Sequence, residues 1–229
     1  MGAQWTIQEI AHIESDFSEK FGIPRQSGLV EELTAKIVFT PDYRAPEAVR
    51  GLEDFSHIWL IWQFSKAVRE HWSPTVRPPR LGGNTRMGVF ATRSPFRPNA
   101  IGLSCVRLLK VEPNTPEGPV LTVAGADLMD GTPILDIKPY IPYADCQPEA
   151  TGGFTDTAGD FLLKVEFPPE LLSKVPEDRR EALIGVLRHD PRPSYQRKPE
   201  RVYGMEFAGW NIRFRVEGDI LLVVDCEKV

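Results

Sequence analysis

The sequence predicts a mainly β protein whose first part is a barrel or a sandwich, followed by a small α+β domain. Short apolar, β-branched runs recur along the first two thirds of the chain, each bounded by Gly, Pro or Asn. The stretch at residues 147–159, QPEATGGFTDTAG, is small, polar and Gly-rich, which is typical of a linker. We therefore expect a β domain over 1–146, a linker over 147–159 and a second domain over 160–229.

The first domain is expected to contain seven strands and two short helices. The run HIWLIWQF at residues 57–64 is continuously apolar and aromatic, which predicts a buried strand. The strands are predicted at 5–13, 33–39, 57–64, 88–92, 102–112, 120–127 and 133–140. Helices are predicted at 47–55 and 65–71.

The second domain is expected to mix a helix with strands. A strand is predicted at 160–167, and a helix at 169–188 with an interruption near Pro176. Residues 190–195, DPRPSY, are too rich in proline for regular structure. Strands at 208–216 and 219–225 flank a Glu217-Gly218 turn, which indicates a hairpin.

Positive charge is concentrated in one segment of an acidic chain. Residues 66–110 contain nine Lys or Arg residues and one carboxylate, a net charge of +8, whereas the whole chain carries −5. Residues 179–215 are also basic, with nine Lys or Arg residues against four Asp or Glu. From charge alone two interpretations stay open: the arginines recognise phosphate or carboxylate groups, or they pair with acids elsewhere on the surface.

Composition excludes several classes of protein. The longest strongly apolar run is far below the roughly 20 residues that cross a bilayer, and the amino terminus lacks the pattern of a signal peptide. Three well-separated cysteines argue against a disulfide framework and a zinc site, and they fit a reducing cytoplasm. No GxGxxG or Walker A motif is present, and no histidine spacing suits a metal. His57 fits a core residue better than a catalytic base.

Five sequence blocks resemble the TsaA-like family. They are GIPRQ at 22–26, GLEDFSHIWLIWQF at 51–64, GVFATRSPFRPNAIGLS at 88–104, DLMDGTPILDIKPYIP at 127–142 and the DPRPSY element at 190–195. The last block is similar to an element of the family's longer bacterial members. The resemblance implies a TsaA-like β-barrel that binds S-adenosylmethionine (SAM) without a Rossmann fold, in a homodimer with its site near the subunit interface. It also implies N6-methylation of threonylcarbamoyladenosine immediately 3′ of the anticodon in tRNA, in the cytoplasm.

The same resemblance implies a set of cofactor-binding residues. Chemically, Gln26 can offer its amide to adenine or to the methionine end of SAM, and Asp127 can serve an ammonium, a sulfonium or a ribose diol. Arg25 can bind a carboxylate, or it can pair with Glu31 or Glu32. The implied cofactor set is Pro24, Arg25, Gln26, Phe64, Ser65, Arg93, Leu103, Gly125, Ala126 and Asp127. Phe64 alternatively belongs to the core.

A second set is expected to contact substrate or tRNA: Arg86, Arg97, Asn99, Tyr140, Asp190, Arg192 and Tyr195. Arg97 and Asn99 alternatively make bonds that hold their loop. Tyr140 is a candidate for stacking on a base. Arg192 is expected to pair with Asp190 and shape the loop, leaving Tyr195 to stack on the anticodon loop, although a purely structural role stays open. Asp130 is left without a role because Asp-Gly is a common turn.

Methyl transfer from a sulfonium requires chiefly that nucleophile, methyl group and sulfur be aligned. The carbamoylated N6 is urea-like, so it must lose a proton, and no catalytic base stands out in the sequence. The threonyl carboxylate, a backbone carbonyl or water can assist. We expect one arginine among Arg86, Arg93 and Arg97 to bind the threonyl carboxylate, which would select for the prior modification.

Two other functions remain open at this stage. One is a SAM-dependent methyltransferase of a small molecule or protein, and the other is a non-catalytic module that binds SAM or modified tRNA. The basic second domain, with Tyr195, Tyr203 and Trp210, suits a polyanion better than a metabolite.

Overall fold

The structure is a computed structural model that describes residues 4–68, 71–156, 162–192 and 200–229. Within these residues the strands are β1 (Ala11–Glu14), β2 (Thr34–Phe39), β3 (His57–Gln63), β4 (Thr75–Val76), β5 (Met87–Gly88), β6 (Ile101–Thr115), β7 (Gly118–Ala124), β8 (Pro133–Pro139), β9 (Lys164–Glu166), β10 (Tyr203–Phe207), β11 (Trp210–Glu217) and β12 (Ile220–Lys228). The α-helices of the same residues are α1 (Pro142–Asp145), α2 (Pro169–Leu172) and α3 (Glu177–Arg188).

Six strands close into a barrel in the order β1-β2-β7-β6-β3-β8. Every neighbouring pair is antiparallel, and β8 completes the ring by pairing with both β3 and β1. Closure leaves no unpaired strand edge in the barrel. The predicted mainly β fold with a barrel is confirmed.

Alternation along β3 shows how the barrel is filled. Ile58, Leu60 and Trp62 are buried in the barrel core, while the alternate residues face outward and are half-buried or, for Gln63, exposed. The prediction of a strand buried as a continuous run is therefore wrong on one face, where Trp59 packs against Tyr140 instead of the core. His57 is also on this outer face, so it is not the core histidine that the apolar run suggested.

The second unit is a four-stranded sheet of order β10-β11-β12-β9 covered by helices. Helix α3 buries Ala182, Leu183, Val186 and Leu187, a spacing that places all four on one face. The predicted hairpin forms between β11 and β12, and the predicted helix divides into α2 and α3 around Pro176. Strand β10 was not predicted. None of the helices described in the chain is long and apolar enough to cross a membrane.

Several predicted elements in the first part of the chain are wrong or shortened. The strand predicted at 5–13 is limited to β1, which begins only at Ala11. The helix predicted at 47–55 is two 3-10 turns, Pro46–Val49 and Leu52–Asp54, separated by Gly51 with a positive φ of 84°. The strand predicted at 88–92 is limited to β5 and then becomes a 3-10 turn, Val89–Ala91. The segment predicted as a helix at 65–71 forms turns in the residues described there.

Residues 15–33, here called the connecting segment, join β1 to β2 and pack into the core of the second unit. Phe17, Val30 and Leu33 are buried there, and the rings of Phe17 and Phe207 meet edge to face at 5.4 Å. The backbone N–H of Ala208 donates to the carbonyl of Asp16 at 2.9 Å. The first part of the chain therefore supplies three core residues to the last part.

Truncation after residue 146 is expected to destabilise the barrel because these three side chains lose their cover. Burial of such side chains is worth about 1.5–3 kcal/mol each. The free energy of unfolding should therefore fall by several kcal/mol, which is measured as a lower urea midpoint. In the full chain Val30→Ala should also be destabilising, because α3 contacts Val30 at Gly185. In the truncated chain the same substitution should have almost no effect, and an equal cost in both chains would contradict the packing described here.

Candidate active site

A cavity of about 820 Å³ lies where the connecting segment, the end of β3, the loop before β6 and the turn after β7 meet. Small-molecule sites commonly occupy about 300–1,000 Å³, so this cavity has the size of a cofactor site. Its walls are the side chains and backbone of Lys20, Ile23, Pro24, Arg25, Gln26, Trp62, Gln63, Phe64, Ser65, Lys66, Ala67, Phe90, Thr92, Arg93, Pro95, Arg97, Pro98, Asn99, Ile101, Gly102, Leu103, Asp127, Leu128, Met129 and Thr132.

Most residues expected to bind cofactor converge on this cavity. From the cofactor set it is lined by Pro24, Arg25, Gln26, Phe64, Ser65, Arg93, Leu103 and Asp127, and from the substrate set by Arg97 and Asn99. These residues come from four separate stretches of the chain, and the barrel brings them together. Their roles in binding remain predictions.

Gly125 and Ala126 do not line the cavity. The backbone N–H of Gly125 donates to the carbonyl of Leu33, and its carbonyl accepts from the N–H of Gly28, both at 2.8 Å. Ala126 is buried in the barrel core. The polar backbone atoms of Gly125 therefore fasten the connecting segment to the barrel.

Two members of the substrate set lie on the surface away from the cavity lining. Arg86 donates to the hydroxyl of Thr75 at 3.2 Å, beside the small β4–β5 sheet. Tyr140 lies beside His57 and Trp59 on the outer face of the barrel, with ring centroids 6.1 and 5.8 Å away. Burial chiefly raises the pKa of the Tyr140 phenol.

Asp136 and Lys138 form the ion pair that their spacing on one face of β8 allows, at 2.9 Å.

Asp190 and Arg192 bind each other. The Arg192 guanidinium contacts the carboxylate through two bonds of 2.7 and 3.0 Å, and both side chains are buried. Such a two-pronged pair satisfies most of the polar groups that it buries. The pair shapes the loop after α3, as predicted for Arg192, and Tyr195 lies outside the described residues.

The arginines of the cavity differ in their partners. Arg93 donates to the side-chain carbonyl of Gln26, which joins the loop before β6 to the connecting segment. Arg97 donates through one nitrogen to the backbone carbonyl of Thr92 at 3.0 Å. Arg25 is exposed and forms no ion pair with Glu31 or Glu32 in the described structure. Arg97 and Arg25 therefore retain donors for a ligand.

A chain of hydrogen bonds runs from the barrel interior to the cavity. The indole N–H of Trp62 donates to the Ser104 hydroxyl at 3.0 Å, and Ser104 donates to Asp127 Oδ1 at 2.6 Å. Burial raises the pKa of the Asp127 carboxyl, although the Ser104 hydrogen bond and the charge of Arg93 act to lower it. The fold thus holds a carboxylate in place at the cavity wall.

Several lining residues were missed in the sequence. Lys20 reaches the cavity by donating to the Lys66 carbonyl at 2.7 Å, and nothing in its local sequence signals this contact. Phe90 and Thr92 fall within the GVFATRSP block, so the motif itself was an available signal. Ser104 lies behind the lining and was also missed, although it ends the same block and is a polar residue at a position that alternation assigns to the barrel interior.

Comparison with known proteins gives consistent matches over both units. Residues 12–146 match the family model described as tRNA-methyltransferase O N-terminal domain, and residues 161–229 match the TrmO C-terminal domain. The chain is 41% identical to the tRNA (adenine(37)-N6)-methyltransferase of Escherichia coli (strain K12), over 93% of this chain and 94% of that protein. It is 38% identical to a putative S-adenosylmethionine-dependent methyltransferase, RcsF, of Pseudomonas aeruginosa, over 96% of each.

A solved structure resembles the whole fold. The crystal structure of TrmO from Pseudomonas aeruginosa superposes with a TM-score of 0.80 at 33% identity, covering 100% of this chain and 99% of that one. The similarity therefore includes the barrel, the connecting segment and the second unit.

Proposed function

The chain belongs to the tRNA-methyltransferase O family, and on that premise we propose that it transfers a methyl group from SAM to N6 of threonylcarbamoyladenosine, 3′ of the anticodon in tRNA. The observation that carries this proposal is the cavity at one end of the barrel. Gln26, Arg93 and Asp127 line it, and part of its wall comes from the strongly basic segment 66–110. A carboxylate and an amide suit a small polar cofactor, and the arginines suit a polyanionic substrate.

The residues of the cavity fit SAM chemically. Asp127 offers a carboxylate to an ammonium or a ribose diol, while Gln26 offers an amide that Arg93 orients. Ile23, Phe64 and Leu103 supply apolar wall for the adenosyl group. When bound, SAM supplies an activated methyl group on its sulfonium. The chain's own contribution is to hold that group in line with the base.

The chain supplies little general-base chemistry. Asp127 is the one carboxylate among the described lining residues, and it already accepts a hydrogen bond from Ser104. The N6 proton is therefore expected to leave with help from the threonyl carboxylate of the substrate, a backbone carbonyl or water. The arginines then serve to position and neutralise that threonyl carboxylate.

Arg97 is the arginine proposed to bind the threonyl carboxylate. It borders the cavity and bonds to a backbone carbonyl of its own loop, whereas Arg93 bonds to Gln26 of the expected cofactor set and Arg86 bonds to Thr75 of the β4–β5 sheet. Arg97→Ala is expected to reduce the preference for modified over unmodified tRNA by about tenfold or more, since the carboxylate loses its partner. The measurement is kcat/KM on both tRNAs.

Arg86→Ala and Arg93→Ala are the matched controls. Arg86→Ala should leave the preference unchanged, and Arg93→Ala should act mainly on the KM for SAM. If none of the three substitutions changes the preference, recognition of the threonyl group does not use these arginines.

We also propose a homodimer with the cavity near its interface. Leu103 is 52% exposed although it borders the cavity, and Trp59 and Ile61 present apolar surface on the neighbouring outer face of β3. A second copy would cover this surface. Sedimentation at micromolar concentration tests the dimer, and a monomer under those conditions would oppose it.

The second unit, residues 160–229, is proposed to bind tRNA through its basic stretch at 179–215. Residues 147–159 are proposed to be the linker that joins it to the barrel unit of 1–146. The reaction is proposed to take place in the cytoplasm. The buried ion pair of Asp190 and Arg192 is proposed to shape the loop after α3 within this stretch. Salt dependence of tRNA affinity should therefore become shallower when exposed cations of this stretch, such as Arg201, are replaced.

The proposed reaction can be tested in the source cell. Nucleosides from total tRNA of a strain lacking this gene should contain threonylcarbamoyladenosine without its N6-methyl derivative. Re-expression of the chain should restore the methylated nucleoside. If the methylated nucleoside is as abundant without the gene as with it, this chain is not required for the reaction in that cell.

A further inference from the structure

Two exposed aromatic rings, Trp72 and Phe90, form a pair beside the cavity. Their centroids are 6.2 Å apart and their planes are inclined by 32°. Trp72 is 52% exposed and Phe90 is 72% exposed, and Phe90 also lines the cavity. Large apolar rings grouped on a surface indicate a place where a partner binds.

The backbone holds this pair in position. Thr75 pairs with Gly88 in the β4–β5 sheet, and the N–H of Val89 donates to the carbonyl of Pro74 at 2.9 Å. Val89, the residue next to Phe90, is buried and so anchors the backbone at that point. Phe90 is thus presented on a fixed scaffold, with Trp72 two residues before the Pro74 that this scaffold holds, and a fixed ring loses little conformational entropy when it binds.

The surroundings of the pair are cationic. Both rings lie in the segment of net charge +8. Arg86 bonds to Thr75 of the β4–β5 sheet, and Arg93 and Arg97 line the cavity together with Phe90. Flat rings among arginines suit an unpaired nucleobase, which stacks on the ring while its phosphates meet the cations. An apolar protein partner would not require this charge.

We propose that Trp72 and Phe90 stack on an unpaired nucleobase adjacent to the target base in the anticodon loop. This inference rests on the proposed methylation of tRNA. A base that enters the cavity must leave its stack, which costs free energy. A ring at the cavity rim replaces that lost stacking for the neighbouring base and so fixes the loop with the target nitrogen inside.

The test uses synthetic anticodon stem-loops that carry 2-aminopurine at single loop positions beside the target base. Its fluorescence should fall when the wild-type chain binds, at one position more than the others, because the fluorophore stacks on a ring. Trp72→Leu and Phe90→Leu keep apolar volume but remove the flat ring. Each should abolish that quenching and raise the Kd for the stem-loop by about tenfold. Trp72→Leu, at a residue outside the cavity lining, should leave the Kd for SAM unchanged.

Matched variants separate stacking from other effects. Phe90→Tyr keeps a ring and should retain both quenching and affinity. Trp5→Leu removes a ring that is 84% exposed outside the basic segment and the cavity lining, and it should change nothing. Thermal melting of each variant checks that the fold is intact.

The outcomes distinguish this inference from the proposed function. If the wild-type chain methylates modified tRNA but the leucine variants bind the stem-loop as tightly, the stacking role is refuted alone. If the leucine variants weaken SAM binding and leave RNA binding intact, the rings belong to the cofactor site and the proposal is again refuted. If the wild-type chain does not methylate tRNA, the proposed function fails and the stacking role fails with it.

Discussion

Asp127→Asn is expected to make the fold more stable at neutral pH while reducing kcat/KM for SAM by about tenfold to a hundredfold. The loss of activity follows from the loss of a charge that faces the ammonium or the ribose of SAM. The gain in stability follows from burial, which makes the ionised carboxylate costly and raises its pKa. Opposite changes in stability and activity are typical of a residue placed for function.

The pH dependence of this effect has a definite sign. The folded-state pKa of Asp127 lies above its unfolded value, so the stability it contributes is fully present below the unfolded pKa. That contribution is lost as the pH rises from the ordinary carboxyl value, about 3.9, through the raised folded value. The asparagine variant does not titrate, so its advantage over the wild type should appear across this window and persist at neutral pH.

The measurement is urea unfolding of both proteins from acid to neutral pH, together with SAM titration by calorimetry. Ser104→Ala is the matched control, because it removes the hydrogen bond to Asp127 but leaves the carboxylate in the cavity. It should weaken SAM binding less than Asp127→Asn does. An asparagine variant with unchanged SAM affinity would show that Asp127 does not contact the cofactor.

Among the single substitutions considered, Gly102→Ala is expected to have the largest effect on the fold. A Cβ at this position would lie 2.3 Å from Cε2 and 2.5 Å from Cζ2 of the Trp62 indole, which faces it across β3 and β6. The indole cannot move aside easily, because Phe64 packs against it and Ser104 holds its N–H. Overpacking of this kind commonly costs about 1–3 kcal/mol, and it would also deform the cavity wall.

Gly88→Ala is the control for this prediction. No atom lies within 4 Å of a Cβ built at Gly88, and its φ of −56° suits alanine. The midpoint of thermal unfolding should therefore fall for Gly102→Ala and stay nearly unchanged for Gly88→Ala. In the background of Trp62→Leu the cost of Gly102→Ala should shrink, because the opposing ring is gone. Equal costs in both backgrounds would refute the clash.

The strands of the barrel were largely predictable because their signals are local. In β3 and β7, β-branched and apolar residues recur over strand length and end at polar or Gly-rich turns. The strand order was not predictable from these residues, because pairing of β2 with β7 depends on register between distant segments. The burial of Phe17 in the core of the second unit was also not predictable. The residues that bury it lie almost two hundred positions away, and such contacts leave no local sequence pattern.

The site was predictable where whole sequence blocks carried it. The resemblance identified Gln26, Arg93 and Asp127, and the fold brings these residues to one cavity. The resemblance also implied Gly125, but its backbone groups bond to Gly28 and Leu33, and it does not line the cavity. Trp72 lies outside the GVFATRSP block, so only the contact with Phe90 shows its position.

The central claim is tested most directly by incubating the purified chain with SAM and tRNA that carries threonylcarbamoyladenosine, beside the same tRNA without the modification. Mass spectrometry of the digested nucleosides then measures methylation. We expect one added methyl group on the modified adenosine alone. Methylation of unmodified adenosine to the same extent, or no methylation of either tRNA by a chain that binds SAM, would contradict the account.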